Sequence, residues 1–522
     1  MGCPKCGQPV FLFNGYMTGI EFSRSKNGAE TCTVNNKFLH SSYNPQNEAE
    51  RFVNSVECTF FPKAVFINEP AMSYCIPFLR ARFPGSKITA IRYSRAFDKW
   101  NDFFDDTLYF EPGKEQFFET QLFQKNGEDI LCASLFLSWT PSANAFPEHE
   151  KNIWKSIKNT LQKCNALIAT KSCFSRRWIK NAVTFCMNVK KAASIVPFHS
   201  PVVIAASGPS IEGALPFLQK FRRKYILLCV SSALSILEKN NINPDFVLST
   251  DGGWWAKVHL RPLEKNKIIP LALPPEAACQ KNILHNSTII PLDYSDGIES
   301  EILHIWTETC GISCLKAMRN GTVSGTAAEL ALSLTDGPVF ACGLDLAENK
   351  GFQHAQPNMI ETKASSTDTR ILTTETRQAK SRFYSGSLHI YRDWFSAESR
   401  RLAERFFRLS NSFPYKNTLG NIQDADFSLF KEKVSRFSDA DKKCLFSCEK
   451  HIQEKDIKSV QQKISSFIDR ESRTERWLKT VFPTDVIMIE KTKDSAEKQK
   501  KKDELLRKND EFSSELRKLI YG

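Results

Sequence analysis

No stretch of this 522-residue chain is apolar enough for long enough to span a bilayer, and no signal-peptide apolar core is present. A membrane-embedded or secreted protein is thereby disfavoured, and a cytoplasmic one is expected. The sixteen cysteines follow no framework spacing. That excludes a disulfide scaffold and suggests reduced thiols. Cys3-Pro4-Lys5-Cys6-Gly7 resembles half of a zinc knuckle, but no second C-x-x-C pair follows at suitable spacing. Cys32 and His40 are weak completions, and no metal centre is expected. Met1-Gly2-Cys3 lacks the Ser or Thr at position six that a myristoylation signal needs. There is no internal repeat and no G-x-G-x-x-G fingerprint. The net charge is +13, yet no RNA- or DNA-binding motif accompanies it. The densest basic block, Lys498, Lys500, Lys501 and Lys502, is mixed with acids and reads as a solvated helix face. Nucleic acid is therefore disfavoured as a partner.

What is present is the composition of a folded globular protein, 41% hydrophobic and 25% charged. The length calls for two or three domains. Val202-Val203-Ile204-Ala205-Ala206-Ser207-Gly208-Pro209-Ser210 reads as a buried strand, a glycine turn and a helix start. Free amides and the positive end of a helix dipole meet at such a place, which suits a phosphate. Gly208 would admit close backbone approach, Pro209 suits a first helical turn, and Ser210 adds a hydroxyl. A helix over 211–221 follows, then a strand over 225–230, a helix over 232–240 and a strand over 246–250. This alternation marks βαβ units and a parallel sheet. In such sheets ligands bind at the carboxyl ends of strands. Gly208, Ser231 and Asp251 would share that edge, although Asp251-Gly252 also suits a plain turn.

A second constellation spans 322–354. Ser324, Gly325 and Thr326 open a small-residue helix, Ala327 to Leu334. The strand 338–342 then leads to Gly343-Leu344-Asp345-Leu346, and His354 follows nine residues after Asp345. Two helix starts at one sheet edge are expected to line one pocket.

The pair of motifs, A-S-G-P-S and V-S-G-T-A…C-G-L-D-L…H, resembles the motility accessory factor family of flagellin glycosyltransferases. Its nucleotide-binding core is shared with an archaeal hydroxymethylpterin pyrophosphokinase and is similar to that of bacterial sialyltransferases. The segment Leu39 to Pro45 with Glu48-Ala49-Glu50 resembles the entry to that family's amino-terminal domain. Thr170, Trp178, Asn181 and Asn188 resemble the helical approach to its core. The resemblance covers roughly residues 30–425. Departures exist: Ser207 stands where a second glycine is usual, Leu344 where Gln is frequent and Glu348 where an aromatic is frequent. The segment 60–69 also lacks the family's glycine-rich turn, which suggests a scaffold or docking role for that domain.

The resemblance implies transfer of a nonulosonic acid from a CMP-activated donor to Ser or Thr of flagellin. No tightly bound cofactor is implied, and Mg²⁺ is left open. Diffuse positive charge would favour the anionic donor. His354 would be the base and Asp345 its support. Ser207, Gly208, Pro209, Ser210, Ser231, Asp251, Ser324, Gly325 and Thr326 would contact nucleotide or substrate. Two alternatives stay open: a pterin pyrophosphokinase, and a flagellin-binding accessory protein without catalysis.

The expected architecture is α/β, with a Rossmann-like core over 200–425. A smaller amino-terminal α/β domain over 1–145 and a helical linker over 146–199 precede it. A helical region over 430–522, broken near Phe482-Pro483, follows. Within these, 11–22 and 31–39 read as a hairpin, 151–161 and 176–193 as helices, 361–380 as a mobile loop and 388–409 as an amphipathic helix. Cys444, Cys448 and His451 fall at helical spacing, more as a core stripe than as metal ligands.

Overall fold

The computed structural model describes residues 19–266, 268–378, 388–410, 413–440, 442 and 445–522. The Cys3/Cys6 pair, residues 11–18 of the expected hairpin, the last two residues of the expected loop and Cys444 lie outside them. The chain forms two compact units: residues 1–175 with 473–511, and residues 176–472 with 512–522. The expected helical tail thus contributes to both.

The first unit is built on four parallel strands in the spatial order Asp106–Tyr109, Lys87–Arg92, Ala64–Asn68, Leu135–Ser138. Ala64 and Phe66 face a core with Phe97, Phe118 and Leu122. Val65 and Ile67 face another with Val53, Ile76 and Leu79. Burial on both faces explains the uninterrupted apolar runs. An antiparallel ribbon pairs Ile20–Arg24 with Glu30–Val34, which in turn pairs Lys37–Phe38.

The second unit carries the larger sheet. Its principal strands are β1 (Val202–Ala205), β2 (Ile226–Val230), β3 (Phe246–Leu248), β4 (Leu271–Leu273), β5 (Ile289–Asp293), β6 (Val339–Cys342), β7 (Phe406–Leu409) and β8 (Gln423–Ala425). They run parallel in the order β8-β7-β6-β1-β2-β3-β4-β5. Lys191–Ala192 extends the sheet beyond β5, and Lys450–His451 pairs antiparallel with it at the edge. From β1 the chain winds outward to β5, then returns to the other side of β1 as β6. This is a doubly wound sheet, and its crevice lies between β1 and β6.

One face is covered by the helix Val323–Leu334. Its Ala327, Ala328 and Ala331 pack with Ile204, Leu228 and Ala341 of the strands. Small side chains let that helix lie close to the sheet. Phe395, on the helix Leu388–Leu402, joins the same core. The helix Ile211–Lys220 belongs to the other face, where Phe217 stacks on Phe427 at 3.8 Å and Phe340 meets Phe430 at 5.0 Å.

Several elements differ from expectation. The helix from Leu388 stops at Leu402, and Phe406–Leu409 is a strand paired with β6. A buried Phe-Phe-Arg-Leu run suits either state, and the open edge of β6 decides it. The two helices expected within 151–193 are one, Pro147–Asn188. Residues 361–380 hold short helices, Met359–Ser365 and Thr374–Gln378. Cys448 is exposed outside any helix and His451 is in the edge strand, so no helical stripe exists there. The break at Phe482-Pro483 is present, between Glu475–Val481 and Pro483–Lys491. Among the described residues no helix is long and apolar enough to cross a membrane.

Candidate functional site

The carboxyl ends of β1 and β6 interlock. Cys342 lies beside Ala205 in register, so the turns that follow them meet. The Gly208 amide donates to the Gly343 carbonyl at 2.7 Å, and the Ala206 amide to the Cys342 carbonyl at 2.8 Å. A Cβ on Gly208 would stand 2.5 Å from the Gly343 oxygen and 2.6 Å from Asp345 Oδ2. Gly343 has φ +71°, and a Cβ there would run into the Ala206 carbonyl. Both glycines are therefore demanded by the fold itself, in addition to anything a ligand requires.

Asp345 follows directly. It is fully buried, and its Oδ2 accepts the Ser210 amide at 2.7 Å. Its Oδ1 is buried and, among the described residues, has no hydrogen-bond partner. Burial pushes the carboxyl up to about 6, partly offset by Ser210, Arg408 and Lys416. The amino end of the helix Ile211–Lys220, read from the sequence as an anion site, thus already holds an acid of the chain. This acid satisfies an orphan amide there. The strand behind Asp345 is tied down by Arg408. Its Nε donates to Asp424 at 2.6 Å, and its Nη1 donates to the Asn417 carbonyl at 2.5 Å.

Ser207, Gly208, Pro209, Ser210, Ser231, Gly325 and Thr326 are buried, like Asp345. Ser207 shares a hydroxyl hydrogen bond of 2.8 Å with Ser232, and Ser231 opens the short turn after β2. Asp251, after β3, is exposed. Its Oδ1 accepts the Gly253 amide at 2.8 Å, so it does cap its turn. That turn is held from behind. Gly252 has no room for a Cβ, which would lie 2.5 Å from Trp178 Nε1. Asn181 Nδ2 donates to the carbonyls of Gly252 at 3.3 Å and Glu276 at 2.8 Å. Trp178 and Asn181, singled out in the sequence, therefore support the Asp251 turn.

His354 lies on the loop after β6. The next amide, of Ala355, donates to the Ser207 carbonyl at 2.7 Å, which seats the loop over the end of β1. The imidazole is 22% exposed, and its Nδ1 lies 2.7 Å from Glu361 Oε1. Asn358 caps the helix bearing Glu361 and donates to the Ser232 carbonyl at 3.3 Å. His259, in the helix after Asp251, is pushed down to about 4 by burial and by the nearby His354. Glu361 was not singled out from the sequence. H-x₆-E carries no local signal, and only folding brings the two together.

Ser324, Gly325 and Thr326 open the helix on the opposite face of the sheet from the helix after Ser210. The two helix starts therefore approach the carboxyl edge of the sheet from opposite faces. Thr326 Oγ1 donates to the Met318 carbonyl at 3.0 Å, and a Cβ on Gly325 would stand 3.0 Å from the Trp394 ring. Ser324 is half-buried. Beyond β4 and β5 a charged cluster closes this side. Arg319 pairs with Glu276 at 2.7 Å and Asp296 at 3.0 Å, and lies over the Tyr294 ring at 4.5 Å. Burial pushes Glu299 up to about 7. Among the described residues no group of three or more His, Cys, Asp or Glu is placed to hold a metal ion.

Residues 176–351 match the family model described as 6-hydroxymethylpterin diphosphokinase MptE-like. Two proteins of Treponema pallidum (strain Nichols), both described as uncharacterized, are similar in sequence. One is 28% identical over 301 residues, covering 58% of this chain and 65% of the relative. The other is 26% identical over 220 residues, covering 41% and 37%. The chain thus spans less than two thirds of either relative. The fold is that of the MAf glycosyltransferase from Magnetospirillum magneticum AMB-1. The two superpose with a TM-score of 0.58 at 11% identity, over 97% of this chain and 92% of that one.

Proposed function

We propose that this chain, with an MptE-like segment set in the fold of a Maf glycosyltransferase, is itself a glycosyltransferase. Its donor is a CMP-activated nonulosonic acid, its acceptor a Ser or Thr hydroxyl of flagellin, and its place the cytoplasm. The observation that carries the reading is the His354–Glu361 pair seated over the β1–β6 crevice. Doubly wound sheets bind ligands at that crevice. In the proposed step the acceptor oxygen bonds to the anomeric carbon of the donor. Its proton passes to His354. The bond from the anomeric carbon to the phosphate oxygen breaks, and the electron pair leaves with CMP. Asp345 is a positioning acid: buried against Ser210, it fixes the turn after β1 rather than meeting substrate. Asp251, which is exposed, and Ser324 and His354, which are half-buried, are the side chains this reading assigns to the ligand.

The family model favours a second reading, diphosphate transfer from ATP to a hydroxymethylpterin. A thermal-shift panel of CMP, CDP, ADP and GDP separates the two. A ligand at about 100 times its Kd stabilises a folded site by about 2.7 kcal/mol. Stabilisation by CMP and CDP supports the glycosyltransferase. Stabilisation by ADP alone favours the pterin reading, and flagellin binding without any nucleotide effect favours an accessory protein.

A further inference from the structure

Glu361 is buried, with only 4% of its side chain exposed, and one of its oxygens does three things. Oε1 lies 2.7 Å from His354 Nδ1 and accepts the His354 amide at 3.1 Å and the Gln353 amide at 3.1 Å. The same atom therefore fixes the backbone that carries the imidazole and the ring nitrogen nearest that backbone. A carboxylate only accepts hydrogen bonds. Nδ1 must then carry the hydrogen, and in the neutral ring the lone pair falls on Nε2. We infer that Glu361 is a positioning residue that holds His354 as the Nδ1–H tautomer, with Nε2 as the proton acceptor at the sheet edge. This rests on the reading of His354 as the base of the proposed transfer.

The surroundings agree with that division of labour. The helix Met359–Ser365 is anchored by Asn358, whose side chain accepts the Ile360 amide at 3.0 Å and reaches the Ser232 carbonyl. Glu361 thus holds its place relative to the end of β2, whatever happens in the exposed part of the loop. Among the described residues, His259 lies near His354, Glu348 accepts Gln353 Nε2 at 3.0 Å, and Lys363, on the helix bearing Glu361, lies over the Trp255 ring at 5.4 Å. His259 stays neutral above about pH 4, so at neutral pH it adds no repelling charge to a proton arriving on His354. In this arrangement the acceptor hydroxyl gives its proton to Nε2, and the charge that appears on the ring is met by the Glu361 carboxylate on the other side.

The test uses the full chain with Glu361→Gln and Glu361→Ala. Gln keeps an oxygen that can accept all three hydrogens, while Ala removes it. Long-range ¹H–¹⁵N spectra of the His354 ring at pH 8 report the tautomer without any donor or acceptor. The wild type and Glu361→Gln should show Nδ1–H, and Glu361→Ala should move toward Nε2–H. In the transfer reaction Glu361→Ala should lower kcat about 10–100-fold, the scale of lost outer-shell partners, with KM within about twofold. Glu361→Gln should recover most of that loss. Retention of Nδ1–H in Glu361→Ala, or a change in KM with kcat intact, overturns the inference. If Glu361→Ala does not fold, the tautomer in Glu361→Gln decides: Nε2–H there overturns it. A wild type that transfers no sugar refutes the glycosyltransferase reading, while the tautomer still judges Glu361 separately.

Discussion

Replacing Gly208 by alanine tests whether that glycine serves the fold or only a ligand. An added Cβ would sit 2.5 Å from a backbone carbonyl and 2.6 Å from Asp345 Oδ2. Neither neighbour is the loose end of a flexible side chain. The carbonyl belongs to Gly343, itself locked at φ +71° against Ala206, and Asp345 is fully buried. Overpacking of a close-fitting site costs about 1–3 kcal/mol. Pushing Asp345 away also weakens its bond to the Ser210 amide, and a buried donor left unpaired costs about 1–3 kcal/mol more. Together these cost about 2–6 kcal/mol. At roughly 2 °C per kcal/mol for a unit this large, Tm falls by about 4–12 °C. Gly213 is the control, exposed within the helix Ile211–Lys220 with open space around its Cα. There alanine should stabilise by about 0.5–1 kcal/mol, because glycine is the poorer helix former. Thermal unfolding without ligand, followed by circular dichroism, measures both. A Gly208→Ala protein within 1 °C of the wild type would refute the interlock between the two turns.

Three further outcomes follow from groups in the same unit. The Asp345 carboxyl, raised to about 6, binds its proton more tightly folded than unfolded, so its contribution to stability is present below about pH 4 and lost as pH rises through 6. Asp345→Asn should therefore flatten the fall in Tm over that window and raise Tm at pH 8, by an effect of up to about 3 kcal/mol; a lower Tm at pH 8 contradicts this. His259 has the opposite sign: lowered to about 4, it makes stability rise between pH 4 and about 6.5, where the unfolded chain binds the proton. In His259→Gln that rise should shrink, and an unchanged pH–Tm curve would count against the burial argument. His354→Ala should lower turnover about 10²–10⁴-fold, the range of a general base, with nucleotide affinity within about twofold; wild-type turnover would move the base elsewhere.

The strands ending at Ala205, Val230 and Cys342 are legible because each is a short run buried on both faces and bounded by turn residues. The doubly wound order follows from their alternation with helices. Phe406–Leu409 is not legible, since its state depends on the edge of β6, more than sixty residues earlier. The glycine at 208 is visible in the sequence, but its cause is not. A turn that seems shaped for phosphate is equally shaped for Gly343 and Asp345, which lie 135 residues away and occupy it. Helix starts at Ser210 and Ser324 look equivalent along the chain. Only the return of the chain to the far side of β1 sets them on opposite faces. Glu361 is invisible for the same reason, as its partnership with His354 exists only once both loops are seated.

The central claim is sugar transfer at the β1–β6 crevice. Its most direct measurement incubates the purified full chain with flagellin and a CMP-activated nonulosonic acid. CMP release and the mass of flagellin are followed together, with His354→Ala in parallel. Release of CMP in step with addition of the sugar mass to Ser or Thr, both slowed about 10²–10⁴-fold in His354→Ala, is the predicted result. Neither CMP release nor mass gain by the wild type, with flagellin still bound, would contradict it.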